Sequence, residues 1–409
     1  MVRGKDPRSM TANKLEPIWT RTFVFLCLAE FLGYAHNALL TPTLPLYVTH
    51  LGGSPFLVGV ILAAFSVTSV FFRPFIGYWA DYWSYIGVLA LGTFLMGLSV
   101  LLWLIPLVGM LILANALRGT GWAGLNTGGY SLLANNAPQT RRGEAAGFYG
   151  GFQSIPHAIF PAVALWIINA PSGGFNPVIF SSAALAFFGA GFTLLLKHPA
   201  VQASANARPT RGVRQGPLRL STFVDRNVLI ASSLLLCLHL PFPTTTSFLV
   251  LYTREIGIEG VGWYFIATGS TQVLSRPILG QVADRFGRAR AVAGAFVLEI
   301  IGLTLILLAP NLAIIIAGGV FYSAGTAMGT ASTMAMAIDR AQPERRGVTM
   351  ATFSTALSTS MGSGALVAGT IVAFSNYTWM FVAAIAMAAT GLLIALINWP
   401  TLDKANLSR

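Results

Sequence analysis

Charge is what this sequence has least of. Only 9% of its 409 residues are Asp, Glu, Lys or Arg, against roughly 25% in soluble domains. So few charges cannot cover a water-facing surface, so the bulk of the chain has to face lipid. Cysteine is nearly absent too. Cys27 and Cys237 both lie inside apolar stretches and read as small buried hydrophobes, not as a disulfide or a metal pair. There is no glycine-rich phosphate loop, no His/Cys/Asp cluster with metal-ligand spacing and no credible Ser/His/Asp order. These absences argue against an enzyme, a cofactor and a metal centre. Alternating segments of roughly ten residues, which would mark a β-barrel, are missing as well: Val100–Ile105 and Leu312–Val320 are apolar on every face.

What the chain does have is apolar length. Hydrophobic residues make up 55% of it, in runs long enough for a helix to cross a hydrocarbon core of about 30 Å. These runs fall near 20–48, 55–80, 84–106, 108–136, 142–169 and 175–196. A second set follows near 222–252, 258–283, 290–309, 311–338, 346–374 and 377–398. The expected fold is therefore an all-α integral membrane protein of about twelve transmembrane helices. The first run is too long for a cleaved signal peptide and lacks a small-residue cleavage site.

The formal charge of +12 would suit nucleic acid, but its placement argues otherwise. Arg3, Lys5, Arg8, Lys14 and Arg21 precede or open the first span, Arg141 and Arg142 follow the fourth, and Lys197, Arg208, Arg211, Arg214 and Arg219 fill the central loop. Arg285, Arg288 and Arg290 follow the eighth span, and Arg340, Arg345 and Arg346 the tenth. Every even-numbered connection is basic except the second, Asp81–Ser84, whereas Arg254 is the one cation in the odd-numbered ones. By the positive-inside rule both termini and the central loop are cytoplasmic. The expectation is a multi-pass protein of a bacterial-type inner (plasma) membrane, basic because of its orientation, touching membrane lipids and no nucleic acid.

The chain also repeats itself. Arg73–Asp81 (RPFIGYWAD) matches Arg276–Asp284 (RPILGQVAD), and Gly59 pairs with Gly262 at the same offset. Arg141-Arg142-Gly143 with Arg345-Arg346-Gly347, and Leu46-Tyr47 with Leu251-Tyr252, follow at offsets one and two residues longer. The organisation read from this is a tail over 1–19, a six-helix bundle over 20–196, a linker over 197–221 rich in Arg, Ala, Gly and Pro, a second bundle over 222–398 and a tail over 399–409. Internal repeats of this kind mark several transporter folds, with the substrate site between the halves.

Gly280-x-x-x-Asp284-Arg285-x-Gly287-Arg288-x-Arg290, in a short loop after an apolar span, resembles the signature loop of the major facilitator superfamily. With the related stretch in the first half, the resemblance covers essentially the whole chain. It implies two pseudo-symmetric six-helix bundles and a secondary active transporter, with Gly77, Asp81, Gly280, Asp284, Arg285, Gly287 and Arg288 acting in gating. An alternative for the arginines is simple anchoring at the membrane surface. The first copy departs from the pattern, with Tyr82, Ser84 and Tyr85 where the family has Arg, Gly and a basic residue. Arg118–Gly124 in the fourth span resembles the family's Arg-bearing motif associated with proton coupling, and Phe160-Pro161 stands where the antiporter motif has Gly-Pro.

In the first span Glu30, Tyr34, Asn37 and Thr41 fall on one helical face. The spacing Glu-Phe-x-x-Tyr-x-x-Asn-x-x-x-x-Pro looks like the first helix of drug–proton antiporters, whose acid is coupling-related. A structural ion pair between Glu30 and Arg118 is the bland alternative. A carboxyl in a membrane span is a functional-site hypothesis by default, and His157 and His239 join it as titratable candidates, with packing donors as their alternative. Phe31, Tyr34, Asn37, Trp122, Asn126, Gln153 and Phe242 are expected to bind substrate. Glu299 is expected to pair locally, Trp263-Tyr264 to anchor at the outer surface, and the glycines of 147–151 and 362–369 to allow close helix packing. The expected protein is a monomeric transporter that exchanges protons for small apolar or amphipathic molecules. Transport of a polar metabolite such as a sugar, or a non-transporting sensor, are its rivals.

Overall fold

The computed structural model describes residues 17–138, 141–196, 228–340 and 346–399; side chains at 142–143, 276–286, 346–348 and 351 lie outside that description. The described residues form twelve spans. They are α1 (Arg21–His50), α2 (Pro55–Tyr82), α3 (Tyr85–Leu101, ending in a 3₁₀ turn Leu102–Leu104), α4 (Val108–Asn136), α5 (Arg142–Asn169) and α6 (Phe175–Leu194). After the linker come α7 (Leu229–Glu255), α8 (Gly262–Phe286), α9 (Arg288–Leu307), α10 (Leu312–Arg340), α11 (Arg346–Phe374) and α12 (Tyr377–Ile397). Expected and observed boundaries differ by a few residues, and the expected opening of the seventh run near 222 lies outside the described residues.

Several starts are set by side chains that accept from the first free backbone N–H groups. Thr20 accepts from Phe23, Ser84 from Gly87 and Asn376 from Trp379. Ten of the spans are long and apolar enough to cross a membrane on those grounds alone. α4 falls short, carrying glycines and polar side chains such as Asn115, Arg118 and Asn126, while α8 is described with its side chains only over 262–275.

The same helix pairs meet in each half. In the first, α1 packs on α5 and α6, α3 on α4 and α6, and α2 on α4; in the second, α7 packs on α11 and α12, α9 on α10 and α12, and α8 on α10. Glycines set the closest crossings. A Cβ on Gly121 would stand 2.6 Å from the Gly92 carbonyl oxygen, and one on Gly318 would stand 2.6 Å from that of Gly302. Without hydrophobic pressure between helices in lipid, such backbone approach is what binds them.

Helices alternate in direction, so the even-numbered connections and the linker share one face, here the even face, and the odd-numbered connections the other. The halves meet along two seams, α2 with α11 and α5 with α8. Both are shut on the odd side. Gly59 would place a Cβ 2.6 Å from the Ala365 carbonyl, Gly369 one 2.6 Å from that of Pro55, and Gly269 packs directly on Ala158. The end of α7 also meets α1 there. On the even side the facing side chains of α8 and α11, at 276–286 and 346–348, lie outside the described residues. A Cβ on Gly77, on the same face of α2 as Gly59, or on Gly147 or Gly151 of α5 would touch nothing within 4 Å among the described residues. The close packing expected of 362–369 is present, while Gly147 and Gly151 meet no neighbour among the described residues. Among the described residues, the halves are in contact toward the odd face, and small residues of α2 and α5 face open space toward the even one.

α7 is broken. Its regular helix stops at His239, Pro241 and Pro243 follow, and a π turn spans Thr244–Phe248. Gly364 of α11 packs against the backbone of Leu240 at this break. Proline removes the N–H that would continue the ladder.

Gly302→Ala is expected to lower the thermal unfolding midpoint in detergent, since overpacking a tight crossing costs about 1–3 kcal/mol. Gly77→Ala meets open space and is expected to leave the midpoint unchanged or raise it slightly, alanine being the better helix former by about 1 kcal/mol.

Candidate functional site

Three polar stripes at four-residue spacing face one another inside the first half: Glu30 and Tyr34 on α1; Arg118, Trp122, Asn126 and Tyr130 on α4; and Tyr149, Gln153 and His157 on α5. They meet in layers. Nearest the even face, Glu30 is fully buried and its Oε2 accepts from Gln153 Nε2 at 2.9 Å. The Gln153 amide oxygen in turn accepts from the Tyr130 hydroxyl at 3.1 Å. The Tyr149 hydroxyl and Glu30 Oε1 converge over Gly129, where any Cβ would collide with both. Glycine at 129 is thus what leaves room for the carboxyl.

One layer deeper, Tyr34 donates to Asn126 Oδ1 at 2.9 Å and packs on Trp122 (ring centroids 4.6 Å apart) and edge-on to His157 (5.8 Å). Phe31 meets Phe160 edge to face at 5.9 Å. Asn37 is half-buried, and its carbonyl accepts from Thr41. Arg73 of α2 lies within electrostatic range of the Tyr34 and Tyr130 hydroxyls. The sequence-predicted Tyr34, Trp122, Asn126, Gln153 and His157 are therefore one cluster with Glu30.

Arg118 is not part of the Glu30 layer. It lies about 16 Å further along α4 than Gly129, at 1.5 Å of rise per residue, and no ion pair joins it to Glu30. Only 5% of the residue is exposed. Its guanidinium carbon sits 4.9 Å from the ring centroid of Phe65 and 5.9 Å from that of Trp103. Nε and one terminal nitrogen have no hydrogen-bond acceptor. The interhelical ion pair that the sequence leaves open is thus absent.

His239 and Phe242 stand apart from this cluster, at the break in α7. The ring of His239 is 3.2 Å by Nδ1 from the Leu235 carbonyl and 3.4 Å by Nε2 from the Thr330 hydroxyl of α10. Phe242 lies 6.3 Å from that ring. Glu299 is fully buried and accepts from the Thr326 hydroxyl at 2.9 Å, the local pairing expected of it. Trp263 is 56% exposed, as an anchor should be, but Tyr264 is only 2% exposed. That corrects its assignment to the outer surface: it turns inward against Gly319. His36 escaped the sequence reading. It is buried, 2.9 Å from the Ser182 carbonyl of α6.

The first signature loop shows what replaced its lost cations. The Tyr85 hydroxyl donates to Asp81 Oδ1 at 3.0 Å, so a phenol stands where the pattern has a basic group. Ser84 caps α3. In the second loop Gly287 takes a left-handed conformation (φ +88°), which only glycine adopts freely. Arg288 pairs with Asp339 at the far end of α10 and donates to the Ala335 carbonyl at 3.1 Å. The side chains of Gly280, Asp284 and Arg285 lie outside the described residues.

The family model described as the Major Facilitator Superfamily matches residues 26–261 and again 245–407. The staphylopine export protein of Staphylococcus aureus is 22% identical over 62% of this chain and 64% of its own length. A multidrug resistance protein B homolog of Mycobacterium tuberculosis is 24% identical over 47% of this chain. The chain spans 64% and 36% of the lengths of these two relatives. A bacterial homolog of the human lysosomal transporter Spinster, solved in an inward-facing and unoccupied conformation, superposes with a TM-score of 0.76 at 13% identity, covering 95% of this chain and 98% of that one.

Gln153→Leu strips the Glu30 carboxyl of its amide donor. It is expected to lower stability by about 1–3 kcal/mol, the usual consequence of leaving a buried polar group unmatched. Adding Glu30→Leu to Gln153→Leu should recover most of that loss, and a double-mutant cycle of thermal unfolding in detergent checks the coupling.

Proposed function

The chain belongs to the Major Facilitator Superfamily of transporters, and from that premise we propose that it exports small apolar or amphipathic molecules in exchange for protons. The observation that carries this reading is the Glu30 layer. A carboxyl with no exposed surface, held by the Gln153 amide beside Tyr149 and Tyr130, stands one layer from the aromatic cluster of Tyr34, Trp122 and His157. Membrane carboxyls facing a cavity are the usual carriers of protons in transporters.

In this reading the even face, the linker and both termini are cytoplasmic, in a bacterial-type plasma membrane. The contact between halves toward the odd face then fits a cytoplasm-open state, ready to load. Substrate slides between Tyr34, Trp122 and His157, with Phe31, Asn37 and Asn126 along its path. Its arrival disturbs the hydrogen bond from Tyr130 to Gln153, and Gln153 is the link to Glu30. A proton leaves Glu30 as substrate binds and returns from outside once the cleft has turned. His239 and Phe242 serve the second half of the path from the broken α7. Closure zips Gly77 against α11 and the glycines of α5 against α8. The signature loops hold that state through Asp81 and Tyr85 on one side and through Gly280, Asp284, Arg285, Gly287 and Arg288 on the other. The names of the staphylococcal and mycobacterial relatives, an export protein and a multidrug resistance homolog, support the outward direction. The protein works as a monomer, with small molecules, protons and membrane lipids as its partners.

The test is purified protein in liposomes with an internal pH dye, challenged with a panel of amphipathic molecules. Some ligand is expected to drive proton movement, and Glu30→Gln to reduce that movement at least about tenfold, the size expected of a positioned proton-transfer group. Ligand flux indifferent to the proton gradient would overturn the coupling.

A further inference from the structure

Arg118 is a cation with nothing to neutralise it. Two of its three guanidinium nitrogens lack an acceptor, and the Phe65 and Trp103 rings that flank it offer only π-faces. In all the membrane spans only two acids lie away from the ends, Glu30 and Glu299. Both are fully buried. Glu30 is committed to Gln153 in a different layer, and Glu299 to Thr326 in the other half. An unpaired buried charge is strongly unfavourable, and the chain supplies no carboxylate to relieve it.

The surroundings say what relieves it. Along α4, Trp122 follows Arg118 by one turn on the same face, and Phe65 of α2 touches both, its ring centroid 6.1 Å from that of Trp122. Tyr34 closes the other side of Trp122 at 4.6 Å. These rings form an aromatic wall between Arg118 and the even face. Nearer that face Arg73 supplies a second cation, half-buried beside Tyr34 and Tyr130. Apart from Glu30, which is held by Gln153, the charged side chains inside the spans of this half and away from their ends are Arg73 and Arg118.

We propose that the cleft selects solutes bearing a carboxylate on an apolar, ring-sized body, with Arg73 drawing the anion in and Arg118 receiving it. The aromatic wall takes the body, and the planar guanidinium offers paired N–H donors to the carboxylate. Parting Trp122 from Phe65 opens the way to Arg118. The idea rests on the cleft being the substrate path, but it concerns charge selection and not proton coupling.

Equilibrium binding in detergent, with no gradient present, separates the two. The probes are naphthoate, its methyl ester and naphthylmethylamine, titrated against the fluorescence of the intrinsic tryptophans. Naphthoate is expected to bind at least about tenfold more tightly than the ester or the amine, as a charge-assisted hydrogen bond contributes. Arg118→Gln should erase that preference, Arg118→Lys should keep part of it, and Glu30→Gln should leave it intact. Three results overturn the proposal: the ester or amine binding as well as the acid, no naphthoate binding at millimolar concentration, or the preference surviving in Arg118→Gln. The wild-type comparison decides even where a variant fails to fold, and proton coupling can fail with this preference standing.

Discussion

Inside a hydrocarbon layer about 30 Å thick a charge has no water to fall back on, and each buried ion has to find its compensation within the protein or its cargo. The rest of this fold follows from how few such charges there are and where they sit. Glu30 is tolerated because Gly129 leaves it room and Gln153 donates to it. Glu299 is tolerated because Thr326 does the same from α10. Arg118 has aromatic faces and no acceptor. Each buried carboxyl thus has a donor on a neighbouring helix, Gln153 of α5 for Glu30 and Thr326 of α10 for Glu299.

The second constraint is the contact between halves. Glycine and alanine on the odd side bring backbones together, and glycine on the even side faces open space. The same small residues suit both states of a seam: they allow contact when it shuts and leave no side chain to obstruct the path when it parts. Gly147 and Gly151 read from sequence as packing residues because a missing side chain looks the same in either role.

Much of this architecture was legible in the sequence, and the reasons are physical. Span lengths are dictated by bilayer thickness, and the repeat shows in matched stretches such as Arg73–Asp81 and Arg276–Asp284. Within one helix, 3.6-residue periodicity put Glu30 and Tyr34 on a common face. What it could not show was register between helices. That Glu30 meets Gln153 and Tyr149 but not Arg118 depends on how far α1 and α5 slide along α4, and no pattern within a single helix records that. Tyr264 was misplaced for the same reason: its neighbour Trp263 is a true surface residue, and one position along a helix is a rotation of about 100°. The pairing of Arg288 with Asp339 needed the ends of α9 and α10 to be brought together.

The two signature loops are held by chemically different bonds. On the first, a neutral phenol donates to Asp81; on the second, Arg288 and Asp339 attract as full opposite charges at a partly exposed site. Dissolved ions screen the second kind over a Debye length of about 8 Å at physiological strength and scarcely touch the first. Of these two contacts, the one between Arg288 and Asp339 is therefore the one that rising salt would loosen.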